Sequence, residues 1–394
     1  MEPTVSPFTV PEHHRKWVDL AEELGRDAFA PRAAMVDEEN RFPFENYDDL
    51  RASGLLALMV PESFGGIGAD SFTYATVLSK IAQGCASTGL TFNMHSAILY
   101  FLRQIATPAQ QERYFGEVVT DGAVFSSITS EPGTSFRHKG RVRTHIAPDG
   151  DGYRLSGRKI FCSLSTGASY YFTWSFLDGA ESLADGLLTV LIPAGRDGIN
   201  VLDDWNTLGM RGTASNSIDF ESVRIEPDEV VGEVGSILGQ NMSIWSVGYT
   251  AVYIGIAEAA FAYCVKAMSA PRSDGAPPRS EDPLTHQHIG KLSMQLEAAR
   301  RARDTLGYLS GDPDPIAMTY LLNQAKYLAT EAAHSITAQG MRLLGGRGIH
   351  RSLPMERYLR DAMAGLVMPP ANERCRETVG KIALGVPAKT LEFE

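Results

Sequence analysis

Cysteine is scarce in this chain, with four in 394 residues. Cys85, Cys162, Cys264 and Cys375 lie far apart and make no CxxC pair. Neither a disulfide framework nor a zinc-ligand spacing is expected, and no metal site is expected. Basic charge is also in deficit: 36 Lys and Arg face 47 Asp and Glu, a net charge of −11. An acidic chain repels phosphate backbones, which argues against a nucleic-acid partner. It still leaves room for a local basic pocket that takes a phosphorylated cofactor. No unbroken apolar run of about 18 residues is evident. The first fifteen residues hold acids, prolines and two histidines, His13 and His14, with no apolar stretch among them. A signal peptide or a membrane span is therefore not expected, and a cytoplasmic protein is. No GxxxxGK[ST] loop is present. The run Gly345-Gly346-Arg347-Gly348 follows a helical pattern and not a strand, so the dinucleotide-binding fingerprint does not apply to it.

What is present reads as an ordinary globular composition, 44% hydrophobic and 21% charged. The length suggests two or three domains. Helical spacing of apolar residues runs from His13 to Met35, from Tyr47 to Met59, from Phe72 to Gly84 and from Thr91 to Ile105. The glycine-rich segment Pro61–Gly68 between them is a turn or loop. Near Gly122 the pattern changes to short β-branched and aromatic runs at Val124–Thr129, Tyr153–Phe161, Tyr170–Phe176, Leu187–Ile192 and Ser217–Phe220. Asp149-Gly150-Asp151-Gly152 is a hairpin signal. About 110 residues of this kind predict a compact β domain or barrel. Helical periodicity returns after Ile237, over Met242–Met268, Thr285–Tyr308, Ala317–Leu344 and Arg360–Leu384, the last interrupted at Pro369-Pro370. Four long helices predict a bundle. The expected fold is α+β and multidomain: an N-terminal α-helical domain over 1–121, a middle β-barrel over 122–232, and a C-terminal four-helix bundle over 233–394.

Two strand ends carry chemistry. Thr129-Ser130-Glu131-Pro132-Gly133-Thr134 closes one predicted strand with hydroxyls and a turn, and such groups can bond the carbonyl-rich edge of a flavin. Gly157-Arg158-Lys159-Ile160-Phe161-Cys162-Ser163 closes another with an aromatic beside a hydroxyl, suited to a flavin face and its N5. Taken alone, each segment is more often an ordinary strand end or core packing. Four further segments occur with them in order: Val60-Pro-Glu-x-Phe-Gly-Gly-x-Gly68, Leu208-Gly-Met-Arg-Gly-Thr213, Phe220-Glu-Ser-Val-Arg224, and Gly345-Gly-Arg-Gly348 followed by Pro354-Met-Glu-Arg357 and Arg360-Asp361. In this order and spacing the chain resembles the acyl-CoA dehydrogenase superfamily over roughly residues 15 to 386.

The resemblance implies FAD as cofactor, held between barrel and bundle, and a homo-oligomer, tetramer or dimer. It places Thr129 and Ser130 at the flavin pyrimidine edge, and Phe161 and Ser163 by the flavin middle. It implies contact with the FAD pyrophosphate of a neighbouring subunit for Arg272, a place on the pyrophosphate side for Arg342, and close backbone approach to the adenine nucleotide portion for Gly345 and Gly346. Met368 and Pro369 fall in the substrate pocket.

The chain departs from the family where the reaction begins. The family's base is a glutamate nine residues after the arginine of an Arg-Asp-Ala segment. Here Arg360-Asp361-Ala362 leads to Pro369, which cannot take a proton. The alternative place, near Trp245-Ser246, has no acid either. Arg342 stands where the family has glutamine. Glu373, about one helical turn beyond Pro369, and His95 are candidate substitutes, although a surface or structural role is the commoner one for each. Two activities fit: α,β-desaturation of an acyl thioester, on CoA or a carrier protein, without the usual glutamate, or monooxygenation with reduced flavin and O₂. Either implies an electron-transfer or flavin reductase partner. A non-redox role is the third.

Overall fold

The computed structural model of the protein describes residues 8–133, 142–311 and 314–387. Thr134, the last residue of the first hydroxyl-bearing segment, lies outside them. Among the described residues six α-helices come first: α1 (Arg15–Leu24), α2 (Ala30–Glu39), α3 (Phe44–Ala52), α4 (Ser71–Gly84), α5 (Ala86–Ile105) and α6 (Pro108–Asp121). The helix expected to run to Met59 stops at Ala52, because Gly54 takes φ +77° and ends the helical path. Periodicity does not announce α6. A capping box starts it: the Gln110 N–H donates to Thr107 Oγ1 at 3.3 Å, and the Thr107 N–H donates to Gln110 Oε1 at 3.0 Å.

Among the described residues seven strands follow: β1 (Phe125–Ser127), β2 (His145–Asp149), β3 (Gly152–Lys159), β4 (Tyr170–Leu177), β5 (Leu187–Pro193), β6 (Ile199–Val201) and β7 (Ile218–Ile225), with a short helix α7 (Leu183–Gly186) before β5. β1 and β2 both run parallel to β4, and β5 pairs with β4 antiparallel. β2, β3, β7 and β6 continue the sheet antiparallel. The expected β2–β3 hairpin turns between Asp149 and Gly152. The closed barrel is corrected to an open half-barrel: among the described residues β6 and β5 do not pair. β6 is only three residues long and partly exposed, too short to carry closure. One face of the sheet holds its own core of Ile128, Ile146, Leu155, Val190, Phe220 and Val223. Side chains from β1 and β4, among them Phe125, Phe172 and Trp174, join the core of the helices instead.

The C-terminal helices are α8 (Ser243–Ser269), α9 (Pro283–Leu309), α10 (Pro315–Leu344), α11 (Met355–Val367) and α12 (Asn372–Ala383). The last expected helix is thus two, divided over Met368–Ala371. α8 is long and apolar enough to cross a membrane, but it packs against α4, α5, α10 and α11 and is mostly buried in protein. Its glycines permit this approach. A Cβ at Gly255 would lie 2.5 Å from the Ser79 carbonyl, and one at Gly248 would overlap the Asn93 side chain. All four cysteines are free and buried.

Candidate active site

The ends of β1 and β3 meet. The Ile160 N–H donates to the Ser130 carbonyl at 2.9 Å, which sets the two hydroxyl-bearing segments side by side. Thr129 and Ser130 are half-buried. Among the described residues neither their hydroxyls nor their backbone N–H groups make a hydrogen bond. Phe161 is 62% exposed, large and apolar, edge-on to Trp205 at 6.1 Å. Behind it Ser163 Oγ lies 2.8 Å from Ser215 Oγ, which lies 2.7 Å from Thr213 Oγ1, and the Thr213 hydroxyl donates to the Met210 carbonyl at 2.9 Å. Backbone bonds lace the two loops together. The Cys162 N–H reaches Asn216 O at 3.2 Å, Leu164 N–H reaches Thr213 O at 3.0 Å and Ser165 N–H reaches Ala214 O at 3.1 Å.

These loops hold four non-glycine residues in left-handed backbone: Phe161 (φ +55°), Leu164 (+67°), Met210 (+54°) and Ala214 (+43°). Each costs on the order of 1–3 kcal/mol and persists only where its surroundings over-determine it. Strain of this kind concentrates where a ligand is held. Backbone N–H groups and hydroxyls without a partner among the described residues, an exposed ring and a hydroxyl chain in one place match the acceptor-rich edge and the flat apolar face of an isoalloxazine ring.

The second wall comes from the C-terminal helices. Asp361 accepts a hydrogen bond from the Met210 N–H at 2.6 Å. Its neighbour Arg360 pairs with Asp37 of α2 at 2.6 Å and donates to the Leu208 carbonyl at 3.1 Å. Arg211 donates to the Asp37 carbonyl at 2.8 Å. Helix α2, the 208–214 loop and α11 are thereby fixed to one another. Along α8, Trp245, Tyr249 and Tyr253 recur at four-residue spacing and so share a face. Trp245 lies 4.6 Å from Phe101 and 6.3 Å from Trp174 of β4. The Tyr253 hydroxyl donates to Met368 Sδ at 3.1 Å. Burial pushes the Tyr249 hydroxyl up to about 12, so it stays protonated and is no base. Pro369 is exposed, in a turn fixed from below. Lys326 Nζ donates to Gly365 O and to Asn372 Oδ1, each at 2.8 Å, and burial pulls its ammonium down to about 8.

Neither substitute for the missing glutamate is placed to act. His95 is fully buried, with Nε2 2.9 Å from the Leu56 carbonyl and Nδ1 accepting the Phe125 N–H at 3.1 Å. Burial brings it down to about 4, a neutral ring that ties α5 to β1. Glu373 sits in the first turn of α12, 71% exposed, beside Arg376 at 3.3 Å. Arg272 is at the surface, paired with Asp274 at 2.6 Å. Arg342 lines a separate concavity of about 480 Å³ with Gln287, His288, Lys291 and Gln339, between α9 and α10. Gly345 and Gly346 are exposed, with open space where a Cβ would stand. Within one chain the structure therefore brings together Thr129, Ser130, Phe161 and Ser163, while the adenine-side residues expected from the resemblance stand apart from them. Sequence reasoning missed Trp205, Ser215 and the Asp361–Met210 contact. Trp205 and Ser215 flank the Leu208–Thr213 segment, and Met210 and Asp361 lie within the two segments Leu208–Thr213 and Arg360-Asp361, but nothing local pairs them.

A half-barrel between helical domains, with a strained polar cradle at its strand ends, defines an oxidoreductase scaffold for a planar cofactor. Three family models match in sequence order: acyl-CoA dehydrogenase N-terminal domain over residues 11–121, middle domain over 127–223 and C-terminal domain over 247–367. The chain belongs to the acyl-CoA dehydrogenase family and is a flavoenzyme. Its relatives divide by activity. It is 29% identical over 358 residues to the mitochondrial short-chain specific acyl-CoA dehydrogenase of Bos taurus, covering 90% of this chain and 85% of that one. It is 30% identical over 363 residues to the dibenzothiophene monooxygenase of Rhodococcus erythropolis, covering 86% of each. Among solved structures, the dibenzothiophene monooxygenase TdsC of Paenibacillus sp. A11-2, in complex with FMN and indole, superposes with a TM-score of 0.88 at 25% identity, over 96% of this chain and 99% of that one.

Proposed function

We propose that this flavoenzyme is a monooxygenase that uses reduced flavin and O₂ on a small, flat, apolar substrate. One observation carries the reading. No carboxylate stands at Pro369 or at Trp245-Ser246, and both substitutes are engaged elsewhere, His95 in backbone bonds and Glu373 at the surface with Arg376. Proton abstraction next to a thioester needs a base within hydrogen-bond reach. Oxygen transfer takes its reactivity from the flavin and has no such requirement. Flavin, FAD in this family, supplies the redox chemistry. Thr129 and Ser130 would meet its pyrimidine edge, Phe161 would cover its face and Ser163 would reach its middle. The half-buried Trp245 and Tyr249 would exclude water and hold the substrate by stacking, with the fully buried Tyr253 packed behind them. A flavin reductase would supply the reducing equivalents, in a cytoplasmic homo-oligomer, tetramer or dimer, that completes the cofactor site through Arg272, Arg342, Gly345 and Gly346.

The identity to a short-chain acyl-CoA dehydrogenase favours a second reading, desaturation of a thioester whose α-proton is acidic enough to leave without a strong base. One experiment separates the two. The flavin-loaded protein is mixed anaerobically with an acyl-CoA panel, and separately with reductase, NADH, air and indole or dibenzothiophene. The expected outcome is no flavin bleaching in the first arm and an oxygenated product in the second. Rapid bleaching by any acyl-CoA would sink the monooxygenase reading.

A further inference from the structure

Far along the chain from the flavin cradle, the first helical turn meets the glycine-rich loop. His13 and His14 lie in a 3₁₀ turn (Glu12–His14) before α1, and Glu62 opens the turn Glu62–Phe64. One ligand atom from each of these three side chains lies within 4.8 Å of the others. His13 and Glu62 are exposed, while His14 is 4% exposed.

The surroundings of His14 give the cluster its meaning. Nδ1 faces the Asp70 carboxylate at 3.7 Å and the Thr73 hydroxyl at 3.4 Å. That carboxylate is fixed, because it caps α4 by accepting the Thr73 N–H at 2.8 Å and the Thr73 hydroxyl at 3.0 Å. Nε2 faces the Ile67 carbonyl at 3.3 Å. The Asp70 carboxylate and the Thr73 hydroxyl thus stand at one ring nitrogen and the Ile67 carbonyl at the other. A carboxylate behind Nδ1 is the arrangement that orients a metal-bound histidine. Gly68, the residue after Ile67, has φ +66°, and a Cβ there would fall 2.9 Å from Glu62 Cγ. The glycine leaves the space that the Glu62 side chain occupies.

We propose that His13, His14 and Glu62 form a binding site for a borderline divalent transition-metal ion, zinc above all, with Asp70 as the positioning residue. Two imidazoles and a carboxylate suit zinc, nickel or cobalt, and do not suit calcium or magnesium, which prefer all-oxygen sets. Zinc–ligand bonds of about 2.0–2.1 Å put tetrahedral ligands roughly 3.4 Å apart, so small rotations of the exposed His13 and Glu62 close the site. Water fills the remaining position. The ion ties the start of the chain to the 60–68 loop and is independent of flavin chemistry.

The test uses tag-free, flavin-loaded protein freed of metal by chelating resin. Zinc is titrated against a chromophoric chelator, and cobalt is added separately for its absorption spectrum. The wild type is expected to take up one zinc per chain and to give the visible bands of four-coordinate cobalt. His13→Ala and Glu62→Gln are each expected to weaken zinc binding tenfold or more without loss of flavin. Asp70→Asn, which keeps the helix cap, is expected to weaken it 10–100-fold. His145→Ala, at an exposed histidine of β2, should leave it unchanged. Absence of stoichiometric uptake by the wild type, or uptake that survives both His13→Ala and Glu62→Gln, overturns the site.

Discussion

Asp361 and Met210 are 151 residues apart in sequence and 2.6 Å apart in space, a carboxylate oxygen of one accepting the backbone N–H of the other. Met210 is one of the left-handed residues under the proposed ring site, so this bond holds strained backbone in place from a different domain. The Asp361 side chain is buried, and burial pushes its carboxyl up to about 6 from an ordinary 3.8. The folded state therefore holds a proton that the unfolded state has released between about pH 4 and pH 6. Across that window the contribution of Asp361 to stability falls as pH rises, by on the order of 3 kcal/mol. Asp361→Asn keeps an acceptor and removes the titration. Urea denaturation at pH 4.5 and pH 7.5 should show the variant gaining on the wild type at the higher pH. Equal differences at the two values would reject the assignment.

Phe161 has φ +55°, a region in which glycine has no penalty and a β-carbon does. Its ring is 62% exposed, so it gains little by packing within the chain. Phe161→Gly should stabilise the flavin-free protein, or leave it unchanged within about 1 kcal/mol. It should also weaken flavin binding tenfold or more by removing the cover over one face. Thermal melts of apo and loaded protein give both quantities. A variant that loses apo stability by several kcal/mol would make Phe161 a core residue and not a cofactor residue.

The sequence carried the segments of this site and left out the forces that join them. Thr129, Ser130, Phe161 and Ser163 were singled out by the resemblance, because each segment alone reads as an ordinary strand end or core packing. Asp361 and Met210 were not, because their bond depends on register between a loop and a helix that no local pattern records. Left-handed φ at Phe161, Leu164, Met210 and Ala214 was invisible for a similar reason, since none is glycine. The half-barrel read as a barrel because alternation reports strands and says nothing about whether their edges meet. Two adjacent histidines at the start of the chain were noticed only as an unremarkable polar terminus. Their partner Glu62 lies in a loop some fifty residues on, and only the fold brings it near.

Lys159 is fully buried at the end of β3, with Nζ 2.6 Å from Glu131 Oε1 and 2.7 Å from the Trp174 carbonyl. Burial alone would raise the Glu131 carboxyl, but the Lys159 ammonium and the N–H groups of Arg143 and Thr144 bring it below the usual range. The pair anchors both hydroxyl-bearing segments from behind. Lys159→Met leaves a carboxylate buried without its counter-charge and should cost about 3–5 kcal/mol. Lys159→Met with Glu131→Gln should cost clearly less than the sum of the single variants, since the double variant buries no lone charge. Chemical denaturation of the four proteins closes the cycle. Additive losses would mean that the two groups act separately.

His95 gives a test in which stability and activity part company. Its ring is held neutral, at about 4 against an ordinary 6.5, because a charge there would be buried. The unfolded chain takes up a proton as pH falls below 6.5, and the folded chain does so only near 4. His95 thus contributes its full share of stability above pH 6.5 and loses it as pH falls toward 4, by about 3 kcal/mol over the whole span. His95→Gln should remove that part of the acid sensitivity. It should also lower stability at pH 7.5, since the bonds to Leu56 and Phe125 are disturbed. Turnover per folded, flavin-loaded molecule should stay within about twofold of the wild type, since both ring nitrogens face backbone and neither is free to take a substrate proton. A fall of a hundredfold or more in flavin reduction by substrate, with fold and flavin content intact, would return His95 to the role of base and with it the dehydrogenase reading.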